Sequence, residues 1–75
     1  MVDSNKLRDT INSKGFKLKF IAEQLGITTY GLSKKINNVN EFKINEVSKL
    51  SEILNLDLEV KEAIFFAHDA HSQKA

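Results

Sequence analysis

The chain contains no cysteine. A disulfide framework and a thiolate zinc site are therefore excluded, and a reducing, cytoplasmic setting is the expectation. It contains no proline either, and no low-complexity linker or internal repeat divides it. No apolar run approaches the length of about 20 residues that spans a bilayer. The opening Met1-Val2-Asp3-Ser4-Asn5-Lys6 is polar, unlike a secretory leader, so no membrane partner is expected. There is no phosphate-cradling glycine loop and no dinucleotide fingerprint. No serine has a visible base and orienting partner, and Glu23 and Glu46 read as exposed helix residues rather than an acid–base pair. Enzymatic activity and a cofactor are not expected.

What is present suits one small domain. Seventy-five residues, 41% hydrophobic and 28% charged, fit a globular protein with a compact core and modest stability. The net charge of +1 hides an asymmetry. Residues 1–43 carry eight basic against four acidic side chains, a net of +4. Residues 44–75 carry three against six, a net of −3. This division suggests a directed basic patch, although solvated helices often differ by a few charges.

Helix signals dominate, and the expected fold class is all-α with five short helices. The first runs from Asn5 to about Ser13, with Asp3 or Ser4 as N-cap and Leu7 and Ile11 on one face. Gly15 ends it through the left-handed conformation. The second spans Leu18 to Leu25, burying Ile21, Ala22 and Leu25. Gly26 stops it, and Ile27 plugs the core from the turn. Thr28 caps a third helix that reaches Ile36 or Asn37 and turns Leu32 and Ile36 inward. Asn37-Asn38-Val39-Asn40-Glu41 reads as a loop. A fourth helix spans Ile44 to Leu54, with Ile44, Val47, Leu50 and Leu54 as its apolar stripe. Asn55 ends it. Asp57 caps a fifth helix from Leu58 to about Phe65, with Val60 and Ile64 on one face. Residues 1–67 form the expected domain and 68–75 a frayed tail.

The informative stretch runs from Lys17 to Asn37. Helices that cross steeply need a small residue where they approach, and Ala22 supplies it. The sharp turn between them needs a positive φ, and Gly26 supplies that with little strain. Ile21, Leu25, Ile27 and Leu32 seal the corner, leaving Thr29, Tyr30, Ser33 and Lys34 on the outer face. An ordinary helical hairpin explains the glycine and the apolar spacing; a helix-turn-helix also explains why Ala, Gly and these apolar residues recur together.

The pattern Ile21-Ala22-Glu23-x-Leu25-Gly26-Ile27-Thr28, followed by Leu32-Ser33-x-Lys35-Ile36-Asn37, resembles the lambda-repressor-like (Cro/C1-type, or Xre) helix-turn-helix family. Glu41-Phe42, Glu46-Val47 and the Ile64-Phe65-Phe66 ending are similar to small Cro-like proteins of phages of Gram-positive bacteria. The resemblance covers about Leu7 to Phe66. It implies a compact five-helix lambda-repressor-like domain that inserts residues 28–37 into the DNA major groove. Thr29, Tyr30, Ser33 and Lys34 would then face bases. Thr28, Asn37, Asn38, Asn40 and Lys43 would lie at or beside phosphates. Two positions depart from the family. Leu18 stands where a phosphate-binding Gln is common, so Lys17 or Lys19 takes over that contact. Lys43 stands where a Ser or Thr cap is common.

The expected partner is a double-stranded DNA operator bound by a homodimer, and the expected function is a sequence-specific repressor of a phage or mobile element. The alternative is an antirepressor-like modulator that binds a partner repressor protein on the same fold. Phe65 and Phe66 are candidate dimer contacts, since adjacent aromatics cannot both point inward from one helix. His68 and His71 stand three apart, with Asp69 the only near candidate for a further ligand. A solvated tail is the simpler account, and no metal site is assigned.

Overall fold

The computed structural model describes residues 1–66; the predicted tail, with His68 and His71, lies outside them. The described residues form five helices and no strand: α1 (Ser4–Ser13), α2 (Leu18–Leu25), α3 (Thr29–Ile36), α4 (Ile44–Ile53) and α5 (Leu58–Phe65). None is long and apolar enough to cross a membrane.

Each boundary has a local cause. Asp3, Thr28 and Asp57 take extended backbone angles, and each accepts a hydrogen bond from the N–H three residues on, at Lys6, Gly31 and Val60. Each thereby satisfies one of the otherwise unpaired amides of a first turn. At the other ends one device recurs four times. Gly15, Gly26, Asn38 and Asn55 have φ of 80°, 73°, 65° and 54°. Each donates its N–H three residues back, while the following residue donates five residues back: Phe16 to Ile11, Ile27 to Ala22, Val39 to Lys34 and Leu56 to Ser51. This is the Schellman termination, in which a left-handed residue closes the last carbonyls and an apolar residue follows. Phe16, Ile27 and Leu56 use that position to pack against the core.

The core draws on every helix. Leu7 and Ile11, Ile21 and Ala22, Leu32 and Ile36, Leu50 with Leu54, and Ile64 with Phe65 form one buried cluster. Phe42 meets Phe65 edge to face, ring centres 5.7 Å apart. Leu25, Ile27 and Val47 pack against this cluster while keeping some exposure.

Three sequence expectations need correction. Ile44 is not part of the α4 core stripe; it is 90% exposed. It is the first residue of α4, and helical side chains lean toward the N-terminus, so it overhangs the helix end instead of the core. Glu46 is not an exposed helix residue; it is 7% exposed and paired with Lys35. Val60 lies four residues before the buried Ile64 yet remains at the exposed edge of α5.

Candidate nucleic-acid interface

The turn between α2 and α3 is set by Gly26, whose Cα faces open space: an added Cβ there meets nothing within 4 Å. What requires glycine at this position is conformation, since φ is +73°. Ala22, buried on α2, is small enough to let a neighbouring helix approach closely. Leu32 and Ile36 bury one side of α3, which fixes the direction of the other.

The four residues expected to face bases all reach the surface: Tyr30 and Lys34 lie opposite the buried side, Ser33 lies beside it, and Thr29, three residues before Leu32, stands clear of the core at the first position of the helix. Thr29 and Tyr30 are exposed, and Ser33 and Lys34 are half-buried. Tyr30 is 74% exposed. The Lys34 ammonium lies over the Tyr30 ring, 5.1 Å from its centre. Cation and aromatic face attract, so the pair forms a joint surface feature. Thr28 Oγ1 accepts the Gly31 N–H at 2.9 Å, leaving its hydroxyl proton free to be donated outward. A Cβ on Gly31 would come within 3.1 Å of that oxygen, so the residue's small size serves the cap.

The expected phosphate-facing residues divide into two groups. Lys17, Lys19, Asn40 and Lys43 are exposed. Lys17 occupies the N-cap position of α2 without a side-chain cap bond, so the first-turn amides and this lysine share one helix end, a favourable place for an anion. Asn37 and Asn38, although exposed, already hold partners. Asn37 Oδ1 accepts from Arg8 Nη2 at 2.8 Å. The Asn38 amide bonds both ways with Val2 and also donates to Ser4 Oγ. Ser4 Oγ in turn donates to the Ile36 carbonyl. These contacts fasten the exit of α3 to the N-terminal segment.

Lys35, next to the outward Lys34, turns inward and bonds Glu46 Oε1 at 2.5 Å. The same oxygen accepts the Lys43 N–H at 2.9 Å. Glu46 thus ties the last turn of α3 to the first turn of α4. Burial alone pushes its carboxyl up. The bonds from Lys35 and from the Lys43 backbone, with the charges of both lysines, outweigh that and hold it below the ordinary carboxylate value.

Arg8 and Lys35 were not anticipated from the sequence. A local signal existed only for the Glu46 bond to the Lys43 N–H, since an acid three residues after an N-cap reaches back to the start of its helix; it does not mark Lys35, eleven residues away. Nothing local marks Arg8, whose partner is 29 residues away. Of the two aromatics expected at a dimer contact, Phe65 is core and only Phe66, at 44%, presents surface. Among the described residues no group of acidic or histidine side chains is arranged to hold a metal ion.

Compared with known proteins, the chain matches no family profile, no curated protein and no solved structure.

Proposed function

We propose that this chain is a sequence-specific DNA-binding regulator of the lambda-repressor-like helix-turn-helix type, a Cro-like repressor of a phage or mobile element. The observation that carries the reading is the two-sidedness of α3. Leu32 and Ile36 are buried, while Thr29, Tyr30, Ser33 and Lys34 reach the surface. A short helix anchored by its apolar side and presenting hydroxyls and an amine can enter the major groove. There it offers donors, acceptors and apolar atoms to base edges. Lys17, Lys19 and Lys43 neutralise phosphates and release counterions. The resemblance of Ile21 to Asn37 to the family pattern supports the same assignment.

The test is selection from a random duplex library, then titration of the enriched duplex at several salt concentrations. Log affinity should fall linearly with log salt, with a slope near −0.9 for each phosphate contact. Absence of enrichment, or salt-independent binding, overturns the proposal. A second reading, an antirepressor-like modulator of a partner repressor, draws support from the net charge of only +1. It requires capture of that repressor together with no shift of DNA by the chain alone.

A further inference from the structure

We infer that the start of α2 carries a site for single-stranded nucleic acid: an unpaired base stacks on Phe20 while lysines hold the flanking phosphates. Phe16 and Phe20 lie face to face, ring centres 5.4 Å apart and planes inclined by 9°. Phe16 packs against the core, so it is a fixed backing for the Phe20 ring. Phe20 itself is 40% exposed. One of its faces rests on Phe16, so the exposure falls on the other face and the edges. The core does not explain a large ring held flat at the surface, since it closes on Ile21 and Ala22 of the same helix.

The surroundings select the ligand. Lys17 and Lys19 line one hollow with both rings, against the single acid Glu23. Lys14, also exposed, stands two residues before Phe16. An apolar partner gains nothing from these lysines and must bear their desolvation. A flat, anionic partner gains from both features. Its base extends the Phe16–Phe20 stack as a third ring, and phosphates on either side meet the amines. Bases within a duplex have both faces covered by neighbouring pairs, so the stack requires an unpaired base. An anionic lipid surface would suit the lysines, but it calls for a broader apolar face than this pair of rings.

No residue of α3 takes part, so the site does not rest on the function proposed above. Lys17 and Lys19 are shared with that reading and serve whichever backbone is present.

The experiment is a low-salt titration of the full chain with three probes. They are an oligothymidylate of about 12 nucleotides, an abasic strand of the same length and charge, and vesicles containing phosphatidylserine. The wild type should bind the oligothymidylate more tightly than the abasic strand, with a salt slope of about −0.7 for each phosphate engaged. Phe20→Ala and Phe20→Leu should each weaken it by about fivefold or more, the scale of one lost stack. Leucine fails because bulk without a π-face does not stack. Both variants replace an exposed side chain and should keep the wild-type helical spectrum. Phe20→Trp should retain binding. Its indole stands alone in a chain without tryptophan, and the oligothymidylate should quench it while the abasic strand does not. Tyr30→Ala should bind the oligothymidylate like the wild type. No binding, or equal affinity for the two strands, overturns the proposal, as does wild-type affinity in a folded Phe20→Ala. Equal weakening by Tyr30→Ala moves the single strand to α3 and overturns it too. Binding to the vesicles alone assigns the patch to a lipid surface instead. Failure to bind any duplex in a chain that still holds the oligothymidylate counts against the α3 assignment alone.

Discussion

The side-chain amide of Asn38 pairs with both halves of the Val2 backbone: Val2 N–H donates to Oδ1 at 2.8 Å, and Nδ2 donates to the Val2 carbonyl at 2.9 Å. The next residue, Asp3, donates its N–H to the Ile64 carbonyl at 2.8 Å. A few residues therefore bridge the exit of α3 and the end of α5. Asn38 also carries φ of +65°, so it serves at once as helix stop and as tie. Two substitutions separate these roles. Asn38→Gly keeps the left-handed backbone and loses the amide, and should cost about 1 kcal/mol for exposed hydrogen bonds. Asn38→Ala loses the amide and adds left-handed strain of about 1–2 kcal/mol. Urea unfolding of the three proteins should rank them wild type, Gly, Ala; a glycine variant as stable as the wild type would show that the tie adds nothing.

The Lys35–Glu46 pair is predicted to make stability depend on acid. The folded Glu46 carboxyl titrates below its ordinary value. The unfolded chain therefore binds the proton more readily, and the stabilisation is fully present above the unfolded pKa of about 4.3. It is lost as pH falls through the folded value. The stability gap between wild type and Glu46→Gln should thus be widest near neutral pH and shrink below pH of about 4. Glu46→Ala leaves Lys35 without its partner and the Lys43 N–H without its acceptor. It should cost about 3 kcal/mol, the scale for breaking a largely buried pair. A constant gap between wild type and Glu46→Gln from neutral to acid pH would contradict this account.

Gly26 should tolerate asparagine better than alanine. Space is not limiting there, so the cost of Gly26→Ala is the left-handed backbone alone, about 1–2 kcal/mol. Gly26→Asn should cost less, because Asn38 and Asn55 already hold this geometry in the same chain. Thermal unfolding checks the order, and an alanine variant with unchanged midpoint would remove the conformational explanation.

These stops explain why so much of the fold was legible. Gly15, Gly26 and Asn55 announce helix ends through chemistry local to one or two residues, as Asp3, Thr28 and Asp57 announce starts. The α2–α3 corner was legible for the same reason, and the outward positions of Tyr30 and Lys34 followed once Leu32 and Ile36 were assigned inward. What escaped depends on partners distant in sequence or on helix-end geometry. Ile44 fits a periodic stripe but stands at the first position of its helix, where the stripe no longer faces the core. Asn38 and Asn37 looked free for phosphates because Val2 and Arg8 meet them only after the chain has folded back.

The stacked arrangement of Lys34 over Tyr30 yields a prediction about which part of the tyrosine matters. If the ring holds the ammonium at the groove, Tyr30→Phe retains the aromatic face and should bind the selected duplex within about twofold of wild type. On the proposed DNA-binding reading, Tyr30→Ala frees Lys34 to wander and withdraws apolar surface from the base edges, so its affinity should fall by about tenfold, near 1.4 kcal/mol. Lys34→Ala should lower affinity as well, and should also reduce the salt slope by about one contact if the amine meets phosphate. Neither Tyr30→Ala nor Lys34→Ala removes buried core, so thermal midpoints should stay close to wild type. Equal losses for Tyr30→Phe and Tyr30→Ala would assign the contact to the hydroxyl instead of the ring.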